Sequence, residues 1–305
     1  MNNLYIIDKN SKRMRTLGLS LLLYILLFSA ACADERGGGT GDGTGIDSLA
    51  EKSTLKLSMD GDTSQYRDTV LLLTELGRPP KENEEITKIV MAYPQLYFAS
   101  TAGAKDSINK FIEQTLRLDG YGNLAYKNVA DRMTDFIDEY REAAKENKEV
   151  YAEMGLDFVD AKWSCEVQIQ VLLNTPNLLT LRYDEFNFTG GAHGNMATRF
   201  FNFDMRTGKL LQLKDIFIDK PGADNLLMPL AQKAFRTSMQ KQGKSMDAID
   251  ENFNFDKLPD HFAITHTGIL FSFDPYEVSA FSEGTLQFEI PYADLLQLIN
   301  RDIIR

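Results

Sequence analysis

At 305 residues the chain has room for one large domain or two smaller ones. Its 33 Lys and Arg against 44 Asp and Glu leave a formal charge of −11. That balance argues against nucleic acid and against an anionic membrane surface, both of which call for a cationic face.

The first residues carry an export signal. Lys9, Lys12, Arg13 and Arg15 form a positive segment, and Leu17 to Ala31 follow with almost no polar residue. That run is shorter than the roughly twenty residues needed to span a bilayer. It ends in Ser29-Ala30-Ala31-Cys32, small residues before a cysteine, although Ser29 stands where a lipobox usually has Leu. The segment resembles a bacterial lipoprotein signal, with cleavage before Cys32 and acylation of its sulfur. The membrane is then a partner through lipid chains such as palmitate. Removing residues 1–31 takes away four basic residues and one acid, so the formal charge moves from −11 to −14. A lipidated Cys32 leaves Cys165 with no disulfide partner.

Residues 32–50 hold Gly37, Gly38, Gly39, Gly41, Gly43 and Gly45 among Thr and Asp, the composition of a flexible tether. From 51 to 161 the pattern predicts an N-terminal α+β unit. Leu55, Leu57 and Met59 alternate, and Val70 to Leu73 form a second apolar run, so two strands are expected there. Ala92 to Tyr97 are read as leading into a helix, with Ile108, Phe111, Ile112 and Leu116 as its apolar stripe. A longer helix is expected from about Tyr126 to Met154, with Val129, Met133, Phe136, Ile137 and Tyr140 facing a core.

From Lys162 the period becomes two, marking a second unit over 162–305. Trp163, Cys165, Val167, Ile169 and Val171 alternate with polar residues, and Leu178 to Phe188 return after a turn. Then comes Thr189-Gly190-Gly191-Ala192-His193-Gly194-Asn195, followed by Phe201, Phe203 and Met205 in strand register. A helix from Leu226 to Met239 is expected to cover one face of this antiparallel meander. Phe262 to Thr265, Ile269 to Phe273 and Leu286 to Ile290 complete the strands, and Pro291 opens a terminal helix. The fold class expected is α+β, an antiparallel sheet meander packed against helices in two closely associated subdomains.

Three stretches together carry a family resemblance: Thr189 to Asn195, Phe200 to Leu213, and Ile264 to Pro291. They resemble an extracytoplasmic domain family (domain of unknown function 3298) found in the lysozyme-sensing anti-sigma factor RsiV and beside the deacetylase domain of PdaC. Tyr93-Pro94 and Ser107-Ile108-Asn109 resemble the smaller PdaC-type N-terminal domain that often precedes it (domain of unknown function 4163). The resemblance implies an α+β domain outside the cytoplasm, on the outer membrane or the periplasmic face. It implies cell-wall glycan (peptidoglycan) or a basic wall-degrading enzyme such as lysozyme as ligand. It brings no settled activity. The sigma-binding segment and spanning helix of the first protein have no counterpart here, nor do the catalytic motifs of the second.

The chemistry of the singled-out residues points the same way. His193, His261 and His266 are the three histidines, fewer than a structural zinc site wants, and nothing in their spacing converges. No metal, cofactor or catalytic residue is therefore assigned. Gly190, Gly191 and Gly194 permit positive φ and close backbone approach. His193 reads first as an internal hydrogen-bonding strut and second as a ligand contact. Asn195, Asp274, Tyr276 and Glu277 complete the candidate binding or structural motif, with Tyr276 packing and Glu277 capping a turn. Asp184, Glu185, Asp274 and Glu277 supply carboxylates of the kind glycoside chemistry needs, but 44 acids make such coincidences cheap. The function expected is a non-catalytic, lipid-anchored envelope protein that binds or senses a ligand. The alternative is a hydrolase or accessory domain acting on peptidoglycan or another glycan, with His193 catalytic.

Overall fold

The computed structural model describes residues 5–7, 57–58, 60–119, 122, 124–218, 223–244, 249 and 255–304. Cys32, the apolar run before it and the glycine-rich tether lie outside these residues.

Seven strands form the larger sheet, in chain order from edge to edge: β1 (Tyr5–Ile7), β2 (Gln65–Thr74), β3 (Lys88–Phe98), β4 (Ser164–Asn174), β5 (Leu178–Phe188), β6 (Asn195–Asp204) and β7 (Lys209–Leu211). Neighbours run antiparallel except β3 and β4, where Lys88–Ala92 lies parallel to Ser164–Gln168. A parallel pair cannot be joined by a hairpin, and the crossover contains two helices, α1 (Ala102–Leu116) and α2 (Val129–Glu153). Thr101 caps the first by accepting the Ala104 N–H, and Asn128 caps the second by accepting that of Asp131. The expected division at 161/162 thus falls inside one continuous sheet.

Alternation sets which face is buried. Leu71, Leu73, Ile89, Met91, Cys165, Val167, Ile169, Leu181 and Tyr183 pack on one side against Ile108, Ile112 and Leu116 of α1 and Met133 and Ile137 of α2. At i and i+4 those helical residues share one face. Two expectations need correction. Ala92 to Tyr97 continue β3 as strand. Pro94 is tolerated because β4 pairs only as far as Ala92, so beyond it β3 has β2 as its one neighbour. The strand placed at Leu55 to Met59 does not form at Leu57 and Ser58, the residues of that run that are described. Among the described residues the first strand after β1 begins at Gln65.

The second core lies under a separate three-stranded sheet, in the order β10-β9-β8: β8 (His261–Ile264), β9 (Gly268–Phe273) and β10 (Leu286–Pro291). The short α3 (Leu213–Ile216), α4 (Ala223–Lys241) and α5 (Tyr292–Leu295) complete this part of the chain. Leu227, Ala231, Phe235 and Met239 pack with Phe262, Ile264, Phe271, Phe273 and Phe288. The helix expected over the meander therefore covers the small sheet instead. The long apolar strands of the meander are already served by α1 and α2.

Side chains join the two sheets. Asn202 of β6 accepts the N–H of Ile264 at 2.8 Å and donates to the carbonyl of Phe262 at 2.9 Å. Thr180 of β5 donates to the carbonyl of Ile264 at 3.0 Å. An amide side chain thereby stands in for a strand partner along β8. All three polar groups would otherwise be unpaired in a buried seam.

Beneath α2, Arg132 and Glu185 form a buried ion pair at 2.9 Å, their side chains 5% and 3% exposed. Arg132 also donates to the carbonyl of Leu116 at 3.1 Å, and Tyr183 donates to the other oxygen of Glu185. Burial, and after it Glu185, pushes the Cys165 thiol up to about 12, which makes it an inert core thiol.

Candidate functional surface

Two loops meet at the outer end of β5 and β6. One is the β5–β6 connection, residues 189–194, and the other is the β9–β10 connection, residues 274–285. Gly190 and Gly191 take φ of +98° and +91°, values that L side chains adopt only with strain. Gly194 has a different task. A Cβ there would come to 2.4 Å from the ring edge of Phe186, so the loop lies this close to the sheet because that atom is missing. The glycines therefore set the path that presents His193.

His193 stands at the surface, which corrects its reading as an internal strut. Its imidazole stacks on Phe281 with ring centroids 4.2 Å apart and planes 19° from parallel. Nδ1 lies 3.0 Å from the carbonyl of Gly194, and Nε2 lies 3.5 Å from the hydroxyl of Tyr276. Tyr276 lies 5.5 Å from Phe281, centroid to centroid. It is 65% exposed and adopts φ of +69°, which a bulky residue rarely holds without support from around it. His193, Tyr276 and Phe281 form one aromatic platform across the two loops.

Polar contacts fix the platform to the sheet. Asp274 accepts the backbone N–H of Thr198 at 3.2 Å and pairs with Arg199, whose guanidinium also donates to the carbonyl of Thr198 at 3.0 Å. Thr198 donates its hydroxyl to Asp184 at 2.9 Å, and Asp184 is in turn paired with Arg182 at 2.8 Å. Glu277 accepts the N–H of Asp274 at 2.9 Å and so caps the turn at the start of the loop. Half-buried His261, opposite Ser272 on β8, is held below the ordinary imidazole range by burial and then by Arg199.

Of the residues singled out in the sequence, Gly190, Gly191, His193, Gly194, Asp274, Tyr276 and Glu277 meet here. Asn195 opens β6 opposite Asn187 at the foot of the loop. Of the four carboxylates, Asp184 and Asp274 both bond Thr198 and Glu277 bonds the N–H of Asp274, while Glu185 lies apart from them. Glu185 faces the helices while its neighbour Asp184 faces the other way, as alternation requires. Among the described residues no three His, Cys, Asp or Glu side chains form a metal-ligand set, and no helix is long and apolar enough to cross a membrane. Phe281, Arg199 and Thr198 carried no signal in the sequence. Phe281 opens a short 3-10 turn inside a loop, and the other two belong to an ordinary strand.

Residues 80–196 match the family model described as Deacetylase PdaC, and residues 214–293 match Protein of unknown function (DUF3298). The two follow in the order expected. No curated protein matches the chain. Among solved structures, a DUF3298 family protein from Pseudomonas aeruginosa PAO1 is 18% identical with a TM-score of 0.58, over 81% of this chain and 99% of that one. A DUF3298 family member from Bacteroides fragilis NCTC 9343 is 19% identical with a TM-score of 0.61, over 79% and 96%. At these identities the likeness is one of fold, mixed α and β with mostly antiparallel strands.

Proposed function

We propose that this chain, a PdaC-type segment followed by a DUF3298 segment, is a non-catalytic binding protein of the cell envelope, anchored by a lipidated Cys32, a processing that would remove β1 and leave β2 at the edge of the sheet. Its contact surface is the platform of His193, Tyr276 and Phe281, and its ligand is a cell-wall glycan. The observation that carries this reading is the platform itself. An exposed tyrosine held at positive φ, beside a histidine stacked on a phenylalanine, presents flat apolar rings with polar tips. Such rings contribute contact area at low conformational cost and suit the apolar faces of sugar rings, while hydroxyl and imidazole meet their oxygens.

A hydrolytic role for His193 has less support. Its ring nitrogens face a backbone carbonyl and a tyrosine hydroxyl, and among the described residues no carboxylate is hydrogen-bonded to it to orient it as a base. A basic protein such as lysozyme remains the second ligand, favoured by the formal charge of −14 left once residues 1–31 are removed.

The test is binding of the full chain to insoluble peptidoglycan and to soluble N-acetylglucosamine dimers, with Tyr276→Ala and Phe281→Ala beside it. Loss of binding in both variants with intact folding supports the reading. Unchanged binding in both, or release of product from the glycan, overturns it.

A further inference from the structure

The platform does not end at the loops. Asp274 leads to Thr198, Thr198 to Asp184, and Asp184 faces Gln168 across the β4–β5 pair, all on the side of the sheet away from α1 and α2. Two residues along in either direction on the same face, Gln170 faces Arg182, and Phe186 faces Glu166. Charges on this strip are neutralised in place, Arg182 by Asp184 at 2.8 Å and Lys88 by Glu166 at 3.2 Å. All four of those side chains are a quarter to a third exposed. Gln170 is exposed and Gln168 half-buried. A glutamine amide offers two donors and an acceptor, the inventory that matches sugar hydroxyls and acetamides.

We infer that this strip continues the ligand site, so that the ligand is an uncharged linear glycan laid across β5 and β4 and not a single terminal sugar. The inference rests on the glycan reading above. The occupant follows from charge: the ions named on this strip are paired with one another, so they present no unpaired charge to a cation or an anion. What it offers is planar hydrogen-bonding groups at strand spacing. Thr198 is itself buried and bonded to Asp274 and Asp184, so the strip within a ligand's reach runs from Asp184 on β5 to Gln168 on β4, one strand spacing of about 5 Å, in addition to the platform. A ligand seated on His193, Tyr276 and Phe281 therefore gains contacts with each further unit until the strip is filled.

The experiment is calorimetric titration of the full chain with β-1,4-linked N-acetylglucosamine oligomers from dimer to hexamer. The hexamer should bind at least tenfold tighter than the dimer. A Gln168→Ala/Gln170→Ala variant should bind the hexamer no better than the unaltered chain binds the dimer, with dimer affinity and melting temperature unchanged. Gln170→Lys, at the exposed position, is a second variant and should weaken hexamer binding alone. A hexamer no tighter than the dimer, or a double variant that keeps the whole gain, overturns the extended site while leaving the platform reading standing. Binding of neither oligomer, or salt-sensitive binding of a basic protein only, overturns both.

Discussion

Asp274 closes the edge of β6. One carboxylate oxygen accepts the N–H of Thr198 at 3.2 Å, and the other takes the guanidinium of Arg199. A residue from the small sheet thus occupies a donor that would otherwise point outward from the large one, and the loop bearing Tyr276 and Phe281 is pinned beside the loop bearing His193. Asp274→Ala should cost about 1–3 kcal/mol, the range for leaving a partly buried donor and a charge unpaired, and should abolish platform binding. Asp274→Asn keeps an acceptor and should lose less of both. Urea unfolding and ligand titration of the two variants check this.

His193→Ala removes the stack on Phe281, worth about 0.5–1.5 kcal/mol for a paired ring contact. A small fall in melting temperature and a large fall in ligand affinity are expected. His193→Phe should restore the melting temperature and not the affinity, because the stack returns while the contact of Nε2 with Tyr276 does not. Equal recovery of both would assign His193 to packing alone.

The loop glycines should separate by mechanism. Gly194→Ala brings a methyl group to 2.4 Å from the Phe186 ring edge and should cost about 1–3 kcal/mol as overpacking. Gly190→Ala meets no atom within 4 Å and bears only the cost of its φ of +98°, about 1–2 kcal/mol. A smaller residue at 186, as in Phe186→Leu, should relieve the first variant and leave the second unchanged. Thermal melts of the three single and two double variants read the difference.

Breaking the buried pair should be the most damaging polar change. Glu185→Ala strands Arg132 beneath α2 and should destabilise by about 3–5 kcal/mol, whereas replacing both partners with Arg132→Met/Glu185→Leu should recover most of that loss. The pair joins α2 to β5, so the single variant should also raise amide exchange along α2 in hydrogen-exchange measurements.

Cys165 gives a pH dependence with a definite sign. Folding raises its thiol from about 8.5, the free value, to about 12, by burial and by Glu185. The unfolded chain therefore releases this proton first as pH rises, and stability falls between those two values while remaining flat in this respect below them. In a Cys32→Ser background, a thiol reagent at pH 8 should react only as fast as the fold opens. Cys165→Ala should remove this part of the alkaline loss.

Much of the architecture was legible in the sequence because period and burial agree. Val129 to Tyr140 read as a helix face and Cys165 to Ile169 as a strand face, and both are buried where expected. Pro94 misled because local chemistry cannot show that the pairing of β3 with β4 ends at Ala92 and frees the strand beyond it. The destination of Leu226 to Met239 was equally hidden: an apolar helical stripe states that it needs a sheet, not which one. At the surface, the glycines and His193 stand out by composition. Phe281 and Arg199 do not, since their roles arise from the meeting of two loops far apart in the chain.

The parallel seam between β3 and β4 has a consequence for the order in which the molecule is assembled. The β2–β3 hairpin is complete once Phe98 has emerged, yet its partner begins at Ser164, after both helices of the crossover. Through that interval the inner row Ile89 and Met91 has no β4 beside it, and Lys88 and Pro94 are the residues that discourage a stranger's strand from taking the place. Closing so long a loop is a slow step. Nascent chains should accordingly be most prone to mispair in this window, and a helper protein that shields the hairpin at that moment would raise yield without touching the finished fold.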